Sequence, residues 1–302
     1  MIFLDSELTQ AERGPEARFQ IVPMPLEKTV SYGSGTADGP AALIEASDQL
    51  ERLWRGIEPC AAGITTTPAI DCSVPLEYAL DSLAARTESI ARAGHIPVTL
   101  GGEHSLTWAA VMGVKRALDR PIGIIQIDAH ADLRRAYQGF RHSHASVMQL
   151  LVEEEGVALA QYGVRALCQE GADIRAQNNV TFIDAEDLLT GNIHDVTLPD
   201  DFPQDVYISF DVDGLDAAIM PATGTPVPGG LGYYQSLGLV RSALRGRRCV
   251  GLDVVELAPI AGWDVWNFTA AQLTYALMGI VQQNDQAQRS PGLAPGPRWQ
   301  QP

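Results

Sequence analysis

The stretch IGIIQIDAHAD, residues 122–132, decides how this chain is read. Its apolar run is nearly continuous, as a strand requires when helices cover both faces of its sheet. Asp128, His130 and Asp132 then follow at i, i+2 and i+4. A strand's period of two puts such residues on one side. Placing carboxylates and an imidazole behind so apolar a strand is costly unless a cation compensates.

Working outward, the pattern recurs. The β-like run VYISF ends at residue 210 and Asp211–Val212–Asp213 follows at once. His104 stands just behind Gly101–Gly102, which stops the predicted strand His95–Leu100. Aspartate is depleted inside strands, and α/β sheets place their sites at strand ends. Asp128, Asp132, Asp211 and Asp213 gathered together would raise one another's pKa values, whereas two divalent cations would cancel their charge. Oxygen and imidazole donors without thiolates suit Mn²⁺, with Zn²⁺, Co²⁺ or Fe²⁺ open on ligand type. Two such ions about 3.5–4 Å apart lower the pKa of a shared water and so supply a nucleophile.

The flanking text alternates strand and helix. Strands are predicted at Ile21–Val22, 122–130, Ala158–Val164, Val180–Ile183, Val206–Ser209 and Cys249–Val255. Helices are predicted from about Gly39–Pro40, after Pro75 to about Gly94, behind Ser105 to about Leu118, and at 146–155, 169–177, 232–246 and 269–282. This alternation implies a mostly parallel, doubly wound sheet. Residues 1–282 read as one domain whose first 20 residues are irregular, and 283–302 as a Gln/Pro-rich tail with Trp299 as a candidate anchor. The GTADGP run at 35–40 lacks the pattern of a phosphate loop.

Composition narrows the partners. Lys+Arg number 21 against 37 Asp+Glu, a formal charge of −16. That balance disfavours nucleic acid and anionic membrane and is compatible with cationic small molecules. Four scattered cysteines without a CxxC pair fit a reducing, cytoplasmic compartment. There is no basic-then-apolar leader at the start and no apolar run of membrane-spanning length.

The motifs GGEHSLT (101–107), DAHADLR (128–134), SFDVDGLD (209–216), PATGTPVPGG (221–230) and GLDVVELAP (251–259) resemble, in order, those of the ureohydrolase family of arginases and agmatinases. The resemblance spans about residues 20–280. It implies a three-layer α/β/α fold around a parallel eight-stranded sheet, two Mn²⁺ ions, and hydrolysis of a guanidinium compound to urea and an amine by a metal-bridging hydroxide. By the same resemblance His104, Asp128, Asp132 and Asp211 surround one ion, and His130, Asp128, Asp211 and Asp213 the other. Glu256 matches the family's guanidinium-binding carboxylate and His144 its proton-shuttling histidine, with His142 two residues away. Asp132 would relay a proton to the leaving amine. Departures are Ala131 for a usual threonine, Ala145 for a glycine and Ala217 for a proline, none of which supplies a ligand atom. A homotrimer or homohexamer is also implied.

The loop LRRAYQGFRHSHASVM (133–148) and the segment YGVRALCQE (162–170) are similar to agmatinase rather than arginase patterns. Agmatine, giving putrescine and urea, is therefore the expected substrate. A guanidino acid such as arginine or 4-guanidinobutyrate stays open through Arg134, Arg135 and Arg141. An acyl-removing binuclear amidohydrolase and a non-catalytic binding protein are the remaining alternatives.

Overall fold

A computed structural model describes residues 1–289. Eight strands form one sheet: β1 (Phe19–Met24), β2 (Ile64–Thr66), β3 (Ile96–Gly101), β4 (Ile122–Ile127), β5 (Ala158–Tyr162), β6 (Thr181–Ile183), β7 (Asp205–Asp211) and β8 (Arg248–Val255). Their order is β2-β1-β3-β8-β7-β4-β5-β6, and every neighbouring pair is parallel. The helices are α1 (Gly39–Ala46), α2 (Leu76–Arg92), α3 (Leu106–Leu118), α4 (Val147–Gln149), α5 (Gln169–Gln177), α6 (Ala185–Thr190), α7 (Tyr233–Ala243) and α8 (Val265–Arg289).

Two apolar cores follow from strand alternation. Ile125 and Ile127 of β4 face one core with Leu43 of α1, Leu239 of α7 and Leu277 of α8. Ile122 and Ile124 face the other with Leu83 of α2, Val111 of α3 and Ile174 of α5. This is the three-layer α/β/α arrangement, with the inner strands of the all-parallel sheet buried on both faces.

The structure departs from the sequence expectation at several places. The first 20 residues are not merely an irregular strand of polar chain: Phe3 and Leu4 are fully buried, and the Leu4 N–H donates to Ser47 Oγ at 2.7 Å. The helix expected over 146–155 is only α4 followed by one wide π-type turn, Leu150–Glu154. Two elements, β2 and α6, went unread. Finally, α8 continues past residue 282 to Arg289. Its last turns are tied down where Asn284 and Gln288 donate to the Arg247 carbonyl at 2.7 and 2.6 Å and Asp285 pairs with Arg18. Trp299 and the rest of 290–302 lie outside the described residues.

Candidate metal centre

The carboxyl ends of β3, β4, β7 and β8 carry His104, Asp128, Asp211 and Glu256 respectively, each at or just past its strand. Two glycines make the convergence possible. A Cβ on Gly102 would lie 2.0 Å from the Leu26 carbonyl, and one on Gly214 would lie 2.8 Å from the Asp128 backbone nitrogen. Only a bare α-carbon lets the GGEH and DVDG turns approach so closely.

The three residues of DAHAD do not lie along a strand, as the period-two reading supposed. β4 ends at Ile127, and the chain then folds over, with Asp132 in the left-handed region at φ 52°. The Asp132 carbonyl accepts the N–H groups of Met148 and Gln149 at 3.1 and 3.2 Å. The turn thereby caps α4 while its carboxylate points back to His104. Glu256 is also left-handed, at φ 65°, with its N–H bonded to the Gly102 carbonyl at 2.9 Å. Non-glycine residues hold such a conformation only when their surroundings over-determine it, and they cluster at functional sites.

Two donor clusters result, sharing Asp128. In the first, His104 Nδ1 lies 3.2 Å from Asp128 Oδ2, 2.9 Å from Asp132 Oδ2 and 3.4 Å from Asp211 Oδ2. In the second, His130 Nδ1 lies 2.9 Å from Asp213 Oδ2 and 3.7 Å from Asp128 Oδ1. His104–Asp128–Asp211 and Asp128–His130–Asp213 are each compact enough to hold an ion. Among the described residues, no lysine or arginine forms an ion pair with any of these four aspartates.

Hydrogen bonding behind His104 tests the fit of a cation. Ser209 Oγ donates to Asp253 Oδ1 at 2.9 Å, and so accepts from His104 Nε2 at 2.9 Å. The proton of the neutral ring is then on Nε2. Nδ1, buried and without a hydrogen-bond partner, presents its lone pair to three carboxylate oxygens. Lone pair against anions is repulsive, and a divalent cation between them removes the conflict. The donor set thus fits a divalent cation.

The titration behaviour expresses the same excess of negative charge. Burial pushes Asp211 well above the carboxylate range, and neighbouring Asp213 and Asp128 push it further. Asp132 is raised by burial and by Asp128. Burial works against ionised Asp128, but hydrogen bonds from His104 and His130 outweigh it and hold it low. Burial likewise lowers His130, yet Asp128 and Asp213 override it and carry the ring to about 12. His104 rises for the same reason, against its burial, through Asp128, Asp132 and Asp211.

Glu256 is buried, and burial raises its carboxyl to about 8. Its Oε1 accepts the His104 backbone N–H at 2.6 Å. His144 lies with its Nδ1 3.3 Å from Thr29 Oγ1 and its Nε2 3.4 Å from Ser31 Oγ, and Tyr137 packs edge-on at 5.9 Å. Thr29 in turn donates to Glu103 Oε1 at 2.8 Å, which connects His144 to the residue beside His104. His142 is elsewhere, its ring edge-on to Trp108 of α3 at 4.8 Å.

Sequence reading missed the supporting residues Thr29, Glu103, Ser209 and Asp253. Three of these lie inside the quoted motifs, and their signal was a polar side chain in a buried strand or turn. Arg165 was missed too: its guanidinium holds the Asp213, Leu215 and Val227 carbonyls at 2.7, 3.1 and 2.9 Å, knitting the second aspartate turn to the 221–230 loop.

Comparison with known proteins accords with this geometry. Residues 17–279 match the Arginase family. The chain belongs to that family. An N(1)-aminopropylagmatine ureohydrolase from Synechocystis is 36% identical over 290 residues, covering 92% of each chain. An agmatinase from Pyrococcus horikoshii is 30% identical over 270 residues, covering 88% of this chain and 92% of its own. Among solved structures, the agmatine ureohydrolase of Thermoplasma volcanium superposes with a TM-score of 0.76 at 29% identity, covering 90% of this chain and 92% of that one. The family resemblance of the five motifs and the eight-stranded fold are thereby established, and the two clusters have the geometry of a binuclear metal centre.

Proposed function

We propose that this arginase-family protein is a binuclear manganese hydrolase that converts agmatine and water to putrescine and urea. The observation that carries the substrate is the state of the arginines in the 133–148 loop. Arg135 pairs with Glu153 at 2.7 Å and Glu170 at 3.5 Å, Arg141 pairs with Glu154, and Arg134 lies 5.1 Å over the Tyr137 ring. With Arg135 and Arg141 held by glutamates, two of the loop's three guanidinium groups are already met by carboxylates of the chain itself rather than left for that of arginine or 4-guanidinobutyrate. An amine-terminated guanidinium compound has no such need.

His104, Asp128, Asp132 and Asp211 would hold one ion, and His130, Asp128, Asp211 and Asp213 the other. When bound, the pair supplies a water-derived nucleophile at neutral pH and charge stabilisation. Glu256 binds the guanidinium and fixes its plane by a charge-assisted hydrogen bond. The raised carboxyl of Glu256 returns to its ionised form beside that cation. Asp132 carries the proton to the departing amine, and His144, at the Thr29–Ser31 loop, moves a proton between solvent and the site. The reading extends to a cytoplasmic homotrimer or homohexamer.

A second substrate is favoured by the Synechocystis relative. N(1)-aminopropylagmatine carries the same guanidinium group and, like agmatine, no carboxylate. The deciding experiment is urea release by Mn²⁺-loaded protein, scored as kcat/KM on agmatine, N(1)-aminopropylagmatine, arginine and 4-guanidinobutyrate. The two amines should exceed the two acids by about a hundredfold or more, the scale of leaving a buried charge unpaired. Agmatine leading supports the main reading, the aminopropyl compound leading supports the second, and an acid leading defeats both.

A further inference from the structure

Within the otherwise apolar strand β4, Gln126 is fully buried, and its register partner on β5, Gln161, is fully buried too. Two amides inside a sheet cost free energy unless every polar atom finds a partner. These do. Arg175 Nε on α5 donates to Gln161 Oε1 at 2.8 Å. Gln161 Nε2 donates to Gln126 Oε1 at 2.6 Å and to the Ala131 carbonyl at 2.8 Å. Gln126 Nε2 donates to Asp128 Oδ2 at 2.6 Å.

The direction of this chain is determined at both ends. A guanidinium can only donate, so the Gln161 oxygen must face it; an ionised carboxylate and a carbonyl can only accept, so both amide nitrogens must face Asp128 and Ala131. Neither glutamine can flip without placing donor on donor or acceptor on acceptor. Arg175 is itself held, with its side chain 3% exposed, Nη1 on both Asp184 oxygens at 2.9 and 3.2 Å, and its guanidinium 4.3 Å over the Phe182 ring. The other oxygen of Asp128 is fixed separately by the His130 N–H at 2.6 Å.

We propose that Gln126 and Gln161 are positioning residues that run from Arg175 to Asp128 and hold its carboxylate so that one oxygen faces each donor cluster. Asp128 is the residue common to both clusters, so its orientation sets both at once. The Ala131 contact fixes the backbone between His130 and Asp132 in the same stroke. Buried amides that served only to fill space would be better replaced by leucine or methionine. This inference rests on the metal assignment of the proposed function.

The test is calorimetric titration of Mn²⁺ into metal-stripped wild type, Gln126→Met, Gln161→Met and the double variant, with kcat and KM measured alongside. Gln126→Met should weaken Mn²⁺ binding by about 10–100-fold, the usual cost of removing an outer partner of a ligand. Gln161→Met, which touches no proposed ligand side chain, should weaken it in the same direction by a smaller factor. The double variant should lose little more than Gln126→Met alone, because both break one chain. Wild-type protein that takes up two ions while Gln126→Met binds both with undiminished affinity overturns the relay and leaves the metal assignment standing. Wild type that fails to take up two ions overturns both. Should Gln126→Met not fold, Gln161→Met decides alone, undiminished affinity again counting against the relay.

Discussion

The two ends of the central sheet treat the same residue type in opposite ways. At the amino end, Asp205 opens β7 with its side chain 3% exposed and is paired with both Arg120 and Arg248. At the carboxyl end of the same strand, Asp211 is as deeply buried but faces Asp213, Asp128 and the unpartnered nitrogen of His104. A buried carboxylate between arginines braces the fold. Carboxylates gathered without one define a place for a cation that the chain does not itself provide.

The largest test of that contrast is Asp211→Asn. Replacing it should lower Mn²⁺ affinity and urea release by more than about a hundredfold, beyond what loss of an outer partner costs. Yet the metal-free variant should be no less stable than metal-free wild type. Asp211 is raised in the fold, so above its unfolded value its ionisation works against folding, and asparagine removes that penalty while keeping the oxygen that accepts the Asp213 N–H at 2.9 Å. Thermal unfolding with and without Mn²⁺ separates the two effects; a stripped variant that melts well below stripped wild type breaks the comparison.

Next in size is Thr29→Val, at the same end but outside the clusters. It severs Glu103 from His144 without changing shape, and kcat should fall about tenfold, a fraction of full general acid–base catalysis, with metal content intact. Thr29→Ser should restore the rate. Wild-type rate in Thr29→Val with a loss in Thr29→Ser would mean that the methyl group matters and the hydroxyl does not.

Asp205→Ala probes the amino end. It should cost about 1–2 kcal/mol of stability, less than a fully buried pair, because Arg120 and Arg248 are half exposed. Mn²⁺ affinity and kcat/KM should be those of wild type. Denaturant unfolding with a parallel metal titration reads both, and a change in metal affinity would show that the ends are coupled.

The smallest effect concerns Glu12, whose hydrogen bonds to Arg52 hold it, against burial, at about 2. A carboxyl held low contributes stability fully present above its unfolded value near 4.5 and lost as pH falls through 2. Glu12→Gln should therefore flatten the fall in melting temperature across that window. At neutral pH it should cost about 1 kcal/mol or less, since the pair is only partly buried at the surface.

Much of this was legible before the structure. The apolar strands β4, β7 and β8 announce themselves by burial on both faces, and the aspartates and histidines beyond them by being where no strand or core tolerates them. β2 escaped because Ile64–Thr66 is three residues, two of them partly exposed, and α6 because six residues hold too little period to detect. The buried Phe3 and Leu4 escaped because their partners, Thr66 and Ser47, are distant in sequence. Thr29, Glu103 and Arg175 are ordinary residues in the sequence. Their roles arise from tertiary neighbours 74, 115 or 14 positions away. The trajectory of DAHAD was misread for a related reason: alternation describes a strand, and the strand had already ended.

The left-handed backbones of Asp132 and Glu256 bear on how such a protein can change over time. Each conformation costs about 1–3 kcal/mol in a non-glycine residue, and each of the two carboxyls is also buried. Glycine at either position would relieve both burdens. A lineage screened for heat resistance alone would be drawn to discard these two side chains early, so their retention has to be enforced by selection for turnover.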